Sequence, residues 1–226
     1  TFLSNSDCHS PHPVRLGREF NRFKIDKCNY EGIKKALNRK KGCKVVLNVG
    51  LPPQEGKYHE SACSSCYTHY TLKESKRRRW RCSCGGSIKK GVKDIIAEKS
   101  DFPEGFHPGY RPEYVHLIPL SEIISKAIGH SSPFTKTVQK RWNELIDNFG
   151  SEINVLLDAD IDKIRKISPP VIVDAIQAFR ENKVSIIPGG GGEYGKIELP
   201  KDDEKEHLDT ISTPDNFQTS ISDYSK

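Results

Sequence analysis

The sequence predicts an α/β segment, a small zinc-binding domain and an α-helical domain, in that order along the chain. Two strand-like stretches flank a basic helix pattern within residues 1–49. Four cysteines then follow in two close pairs, and beyond residue 112 the apolar spacing becomes helical. With 226 residues and 35% apolar content, the chain is long enough for two or three small cores.

The first segment has the pattern strand, helix, strand. Residues 1–10 look like the end of a buried strand that delivers polar side chains at its carboxyl edge, where α/β proteins build active sites. Residues 29–40 place Ile33 and Leu37 four positions apart and predict a short basic helix. The apolar run at 45–49 predicts a second strand, which ends at a glycine.

The cysteine pairs predict a structural zinc site. Cys63 and Cys66 form a C-x2-C pair, and Cys82 and Cys84 form a shorter C-x-C pair. Two tight turns that each present two thiolates can surround one tetrahedral zinc ion. Because the second pair is short, His69 is a reserve ligand in place of Cys84. Reduced structural thiols or two disulfides are the alternatives, but the odd total of seven cysteines favours zinc in a reducing compartment.

The charge of the chain is unevenly distributed. Residues 1–100 carry 22 Lys and Arg against 9 Asp and Glu, whereas residues 101–226 carry 14 against 21. The basic half therefore predicts contact with a polyanion, although a basic run can also be a solvated face. Trp80, Tyr67 and Tyr70 lie among the cations as stacking platforms for nucleic-acid bases. The cations expected to hold the DNA backbone are Arg77, Arg78, Arg79, Lys89, Lys90 and Lys93.

Helix patterns dominate the second half of the chain. The predicted helices, the first two of which end at glycine, cover 121–128, 134–149, 160–167 and 169–182. A short strand at 184–187 follows them. From residue 198 onward, 8 acidic residues against 3 basic ones and few apolar groups predict a disordered tail. No run of about 18 apolar residues occurs, so we expect no membrane partner.

A run of four glycines follows the last predicted strand. Glycine lets backbone N–H groups approach a phosphate closely, and Tyr194 and Lys196 add an aromatic ring and a cation. A ligand-contacting loop is therefore favoured over a flexible hinge, but a P-loop is excluded because its Lys-Ser/Thr ending is absent. The glycines are Gly189, Gly190, Gly191 and Gly192.

Asp7 and His9 are candidate metal ligands near the start of the chain. Alternate residues of a strand point to the same side, so this carboxylate and this imidazole can bind one metal cluster. A bare D-x-H pattern is weak by itself, and surface or capping roles are the alternative.

Taken together, six strings and the cysteine pairs resemble the endonuclease Q family, whose catalytic domain has the polymerase and histidinol phosphatase (PHP) fold. The resemblance spans about residues 1–197. The strings, in chain order, are SDCHS (6–10), LGREFNRF (16–23), GKYH (56–59), GGSIKKGVK (85–93), YVHLIPL (114–120) and PGGGGEYGK (188–196).

The resemblance implies a fold and domain boundaries. Residues 1–53 would be the C-terminal remnant of a PHP (β/α)7-type barrel, and 54–104 a zinc ribbon-like domain. Residues 105–197 would be a helical C-terminal domain with the glycine loop, followed by the acidic tail, 198–226. Asp7 and His9 match the last ligand motif of the barrel, and Cys8 replaces a residue that is usually small in the family. The other barrel ligands have no counterpart here, so we expect an N-terminally truncated fragment without activity of its own.

The resemblance also implies a function. Family members are metal-dependent DNA repair endonucleases that cleave the phosphodiester bond 5′ to deaminated bases, such as uracil and hypoxanthine, or to abasic sites. The implied metals are structural Zn²⁺ at the cysteines and Zn²⁺, Mn²⁺ or Mg²⁺ at the barrel site. Expected partners are single- or double-stranded DNA with damaged bases and, as a further candidate, a sliding clamp. A cytoplasmic, nucleoid-associated protein is expected.

Two other functions compete with this one. The chain could be a non-catalytic zinc-ribbon module that binds DNA, in which case Asp7 and His9 only end a strand. It could also belong to a PHP phosphoesterase that acts on a small molecule. The arginine-rich run argues against a small substrate, which needs no extended basic surface.

Overall fold

A computed structural model describes residues 2–9, 12, 18–103 and 105–200. The chain forms two units, each made of segments distant in sequence. In the described residues, unit 1 holds the residues up to 51 together with 107–183, and unit 2 holds 52–106 together with 184–200. No helix in this part of the chain combines the length and apolarity needed to cross a membrane.

The secondary structure is mixed and most elements are short. The strands are β1 (Phe20–Lys24), β2 (Lys44–Gly50), β3 (Ala62–Cys63), β4 (Ile88–Lys89), β5 (Glu113–His116), β6 (Ser185–Ile187) and β7 (Lys196–Glu198). The α-helices are α1 (Tyr30–Leu37), α2 (Leu72–Arg77), α3 (Val92–Lys99), α4 (Leu120–Ala127), α5 (Lys136–Phe149), α6 (Ile161–Arg165) and α7 (Pro170–Arg180). A 3-10 turn at Pro53–Glu55 and a π-helical turn at Asn154–Asp158 complete the elements.

Unit 1 contains a three-stranded sheet in the order β1-β2-β5. β1 runs antiparallel to β2, and β5 runs parallel to it from the pair Leu47 and Glu113 onward. Side chains of β2 alternate between buried and partly exposed at first and are buried from Leu47 to Gly50. The described residues form this mixed sheet and no closed barrel, so the barrel remnant stays a prediction.

In the helical part of unit 1, α4 contacts α5 and α7, and α6 contacts α7. Their apolar faces supply the core, with Ile123, Leu145 and Ile176 each fully buried. α5 begins where the Thr135 hydroxyl accepts the N–H of Val138, and it ends at Gly150 in a left-handed conformation, φ 81°. The predicted helices are confirmed with small shifts at their ends.

The predicted strand at 1–10 is wrong for residues 2–9, which form no strand and are mostly exposed. At Ser4, side-chain contacts replace strand pairing: the backbone N–H donates to the side chain of Asn21 at 2.8 Å. The Ser4 carbonyl accepts the Asn21 side-chain amide at 2.6 Å. The side-chain amide of Asn21 thus forms the two backbone hydrogen bonds of Ser4 that a neighbouring β-strand would otherwise form.

The unit boundaries differ from the predicted domains. The first boundary falls between residues 51 and 52, and the second falls between 106 and 107, within the proline- and glycine-rich loop 103–112. The glycine loop belongs to unit 2 and not to the helical unit. β6 and β7 form a hairpin in unit 2, where Ile197 of β7 is buried. The predicted tail thus begins inside a strand, and its residues 201–226 lie outside the described residues.

Candidate functional site

The two cysteine pairs lie on two tight turns of unit 2. The antiparallel pair β3 and β4 brings the turns together. In the first turn, the Tyr67 N–H donates to the Cys63 carbonyl at 3.1 Å, with Tyr67 itself left-handed at φ 57°. In the second, the Cys82 N–H donates to the Gly86 carbonyl at 2.9 Å, and Gly85 supplies a left-handed residue at φ 89°. Both turns therefore aim their thiols at the same point.

The four thiols converge closely enough to hold one metal ion. Their Sγ atoms all lie within 4.8 Å of one another. Cys63 and Cys84 are separated by 3.5 Å, as are Cys66 and Cys82. Tetrahedral zinc with Zn–S bonds of about 2.3 Å requires sulfur atoms about 3.8 Å apart, so the arrangement fits zinc with little adjustment.

Cys84, rather than His69, completes the cluster. The His69 imidazole lies outside the group and contacts Glu60, with Nδ1 3.0 Å from Oε2. The C-x-C spacing therefore suffices, because Gly85 and Gly86 let the chain turn back sharply after Cys84.

Hydrogen-bond donors surround the thiols. Hydrogen bonds with the Thr68 hydroxyl, 3.2 Å from the Cys66 sulfur, with the Thr68 backbone, and with Cys84 and Cys82 together lower the pKa of the Cys66 thiol to about 6. The Gly86 N–H lowers the pKa of Cys84, but the neighbouring thiols together raise it to about 12. Four thiols this close resist full ionisation because their negative charges repel, and a divalent cation would remove that repulsion.

A small core supports the cluster from inside unit 2. Buried Cys63, Cys82 and Ile88 pack together, with Tyr70 and Trp80 against them. The Tyr70 hydroxyl also lies 3.0 Å from the Cys82 sulfur. Tyr70 and Trp80 therefore contribute to this core, and they are only partly available for the stacking predicted from sequence.

The arginine run ends α2 and faces solvent. α2 begins with a capping box in which Thr71 and Glu74 satisfy each other's backbone N–H groups. Arg77, Arg79 and Lys89 are exposed, and in the described part of the chain none of them forms an ion pair. These three charges are the most available to an external anion.

The other predicted cations have partners within unit 2. Lys90 pairs with Glu98, and Lys93 lies 3.4 Å from Glu60. Arg78 donates to the Ser83 hydroxyl at 3.1 Å and stacks on the Tyr70 ring at 5.2 Å. The six predicted contacts thus divide into three free cations and three that are engaged.

The glycine loop packs onto the first cysteine turn. A Cβ on Gly191, which has φ 66°, would lie 2.2 Å from the Cys63 carbonyl oxygen. The N–H groups of Gly189, Gly190 and Gly192 donate to the carbonyls of Gln54, Glu193 and Lys57. These three N–H groups are not free for a phosphate. The glycines therefore allow close packing here, in place of the approach to a phosphate that the sequence predicts.

A cluster of one cation and two rings was missed by sequence reasoning. Lys57 Nζ lies 5.4 Å from the Tyr58 ring and 5.7 Å from the Tyr194 ring. Both rings are exposed, Tyr194 to 67%. Lys196, predicted as a DNA contact, pairs with Glu193 at 2.9 Å. Lys57 belongs to the GKYH string at 56–59, but its contact with Tyr194 arises only from the fold.

Asp7 and His9 lie together on an exposed stretch of unit 1. His9 Nδ1 is 2.7 Å from the Asp7 carbonyl oxygen and 3.9 Å from its carboxylate. Within the described residues no third ligand joins them, since the cysteine cluster is the one group of three or more metal-binding side chains there. These two residues by themselves do not make a catalytic metal site.

Sequence comparisons relate the chain to longer proteins. The family described as MJ0043 C-terminal domain matches residues 119–183. The uncharacterized protein MJ0043 of Methanocaldococcus jannaschii is 52% identical over 202 residues, which cover 87% of this chain and 25% of that protein. The uncharacterized protein YqxK of Bacillus subtilis is 34% identical over 197 residues, 87% of this chain and 46% of that protein. The chain therefore spans less than half the length of these relatives.

Solved structures of endonuclease Q are similar to the chain. The lesion-specific endonuclease PfuEndoQ of Pyrococcus furiosus matches 94% of this chain with a TM-score of 0.83 and 48% identity, and the match covers 53% of that chain. An endonuclease Q in complex with a 27-mer duplex that carries an abasic lesion matches 90% of this chain and 51% of its own, with a TM-score of 0.79 and 48% identity. The chain thus resembles endonuclease Q structures over 90–94% of its own length and spans about half of theirs.

Proposed function

We propose that this chain takes part in the repair of damaged DNA, as a component of an endonuclease that cleaves the strand 5′ to a deaminated base or an abasic site. The proposal is carried by three free cations, here called the cation row, on the part of unit 2 that holds the four cysteines, here called the cysteine module. The chain that carries them is 48% identical to a lesion-specific endonuclease. Arg77, Arg79 and Lys89 are exposed and available to phosphates.

The proposed role of zinc is structural. The four cysteines would hold Zn²⁺ as thiolates, and a bound ion would fix the two turns on which the cation row depends. Because the core of the module is only a few side chains, metal binding would supply much of its folding free energy. Removal of zinc should therefore abolish DNA binding by Arg77, Arg79 and Lys89 together with the fold of unit 2.

Incision requires more than the described residues contain. Asp7 and His9 supply two potential ligands, whereas a metal that activates water and neutralises a scissile phosphate needs a fuller set. We therefore expect the chain to bind DNA and to leave it uncut. A purely DNA-binding zinc module is the alternative favoured by the exposure of these two side chains, 100% for Asp7 and 82% for His9.

The test has a binding arm. Affinity for a fluorescent duplex with one abasic site is measured against salt for the wild type and for Arg77→Gln/Arg79→Gln/Lys89→Gln. The triple variant should flatten the salt dependence by about 1 in slope for each lost phosphate contact. The control Lys136→Gln/Lys140→Gln/Lys163→Gln removes the same charge from helices α5 and α6 and should keep the slope. Equal slopes in all three proteins would contradict the proposed cation row.

The binding arm also separates free cations from engaged ones. Lys90→Gln/Lys93→Gln should weaken binding less than Arg77→Gln/Arg79→Gln, because Lys90 and Lys93 are already neutralised by Glu98 and Glu60. A larger loss in the lysine variant would mean that DNA displaces both carboxylates.

An incision arm decides between the endonuclease and the purely binding module. The half of PfuEndoQ matched by this chain is replaced with this chain, and a 5′-labelled duplex with one deoxyuridine is incubated with Mn²⁺. Cleavage just 5′ to the lesion by the chimera, and not by the chain alone, supports the proposal. A chimera that is folded and binds DNA, yet does not cut, supports the non-catalytic module.

A further inference from the structure

A cavity of about 420 Å³ opens in unit 1 at the amino ends of β2 and β5. Its walls come from Arg39 and residues 42–46 on one side and from residues 109–113 on the other. β5 begins to pair with β2 only at Leu47, and Pro112, just before the strand, has no N–H to extend the ladder. Within the described residues, 44–46 of β2 therefore pair with no strand on the side of β5, and the cavity lies in this gap.

The lining is basic. Arg39, Lys44 and Arg111 contribute three positive charges, against one carboxylate from Glu113. In the described part of the chain, none of the three cations lies within ion-pair distance of a carboxylate. The cavity thus presents a net positive surface whose hydrogen-bond donors are available to a ligand.

An exposed aromatic ring lies near both arginines. The Tyr110 side chain is 67% exposed, with the Arg39 guanidinium 5.1 Å and the Arg111 guanidinium 5.9 Å from the centre of its ring. Arg111 also lies 4.0 Å from the ring centre of exposed Phe2. The rings limit the freedom of the guanidinium groups while leaving their N–H donors free, which favours a planar, anionic ligand.

We propose that this cavity binds one unpaired nucleotide of a DNA strand, at a site separate from the cysteine module. The phosphate would contact Arg39 and Arg111, and the base would stack on the exposed part of Tyr110. The volume lies within the range of about 300–1,000 Å³ that is usual for small-ligand sites. Because a base must be unpaired to stack on a side chain, the site selects single-stranded over paired DNA. The inference rests on the proposed function, since it concerns the same substrate.

An extended peptide is the other occupant that the open edge of β2 could take. A peptide would pair with the backbone of residues 44–46 and has no need of three cations around a tyrosine. The charge of the lining therefore favours the nucleotide.

The experiment measures binding of the zinc-loaded 226-residue chain to a fluorescent 12-residue oligothymidylate by anisotropy at several salt concentrations. Arg39→Gln/Arg111→Gln should lower the affinity by about tenfold or more and reduce the salt slope by about 1.4, at about 0.7 for each contact with a single strand. Tyr110→Ala should lower the affinity by at least about fivefold, whereas Tyr110→Phe, which keeps the aromatic ring, should bind as the wild type. The control Lys140→Gln/Lys163→Gln has the same loss of charge and should behave as the wild type. Circular dichroism confirms that each variant is folded.

A second readout locates the contact. Ultraviolet cross-linking to an oligonucleotide with 5-bromodeoxyuridine, followed by mass spectrometry, should label the peptide that contains Tyr110. If the Arg77→Gln/Arg79→Gln/Lys89→Gln variant loses binding while the cavity variants bind as the wild type, the cavity inference is overturned and the proposed function stands. If the wild type binds no DNA at low salt, the proposed function fails, and this inference fails with it.

Discussion

A Cβ on Gly86 would lie 2.7 Å from the Sγ of Cys63. The two cysteine turns therefore touch at a point where only glycine fits, and the Ser65 hydroxyl, 2.6 Å from the same Cβ position, closes the remaining space. Close contact between the turns keeps the four thiols within reach of one ion.

Gly86→Ala should therefore weaken zinc binding without removing a ligand. An added methyl group forces the turns apart, and we expect zinc affinity to fall by about 10- to 100-fold, as for changes next to other metal sites. Competition with a chromophoric zinc chelator measures this loss. Gly109→Ala is the matched control, since a Cβ there meets no atom within 4 Å. Unchanged affinity in Gly86→Ala would show that the turns can separate and still hold the ion.

Cys84 and His69 can be distinguished by substitution. Cys84→Ser should abolish stoichiometric zinc binding, because its sulfur is one of the four that converge. His69→Ala should keep zinc, since His69 contacts Glu60 outside the cluster. The absorption of the Co²⁺-substituted protein reports the number of thiolate ligands and should change only in the cysteine variant. A changed spectrum in His69→Ala would place the imidazole at the metal.

Gly191→Ala should destabilise unit 2. The left-handed backbone alone costs about 1–2 kcal/mol for alanine, and the new methyl group would lie 2.2 Å from the Cys63 carbonyl oxygen. We expect a lower midpoint of thermal unfolding and weaker zinc binding, again with Gly109→Ala as the control. If instead the variant keeps its stability and only loses DNA affinity, the loop acts on DNA directly.

The stability of unit 1 should depend on pH through Glu152. Burial raises the pKa of this carboxyl above its ordinary value of 4.5, although the Leu120 N–H and the Trp142 indole donate to it. Between the unfolded and folded pKa values, the folded state binds more protons than the unfolded state. The contribution of Glu152 to the free energy of unfolding is therefore greatest at low pH and declines as the pH rises through that window.

Urea unfolding of the wild type and of Glu152→Gln, at about pH 5 and about pH 8, measures this dependence. A Trp80→Phe background leaves Trp142 as the fluorescent reporter of unit 1, because the chain has two tryptophans. The wild type should lose stability relative to the glutamine variant as the pH rises. A constant difference between the two proteins would show that Glu152 does not titrate in this range.

Local patterns predicted the helices and the metal cluster well. α5 carries its start and stop signals within its own sequence, in Thr135 and Gly150. The cysteine spacing likewise determines the convergence of the thiols, because each pair lies on one turn. Both features depend on neighbours in sequence, and such features can be inferred before the fold is known.

Long-range pairing accounts for what the sequence did not predict. β1 and β5 are short and partly polar, and they are strands because β2 pairs with both. The meeting of Lys57 with Tyr194 and the burial of Gly191 against Cys63 also depend on contacts between distant segments. No local signal marks such contacts.

The arrangement of unit 2 has a consequence for its biosynthesis. Cys84 leaves the ribosome about 100 residues before Gly191, which corresponds to roughly 5–20 s of translation. During that interval helices α4–α7 of unit 1 are made, while the four thiols are already present without the loop that covers the first turn. We therefore expect the thiols to capture metal early, before the late-arriving glycines close over the first turn.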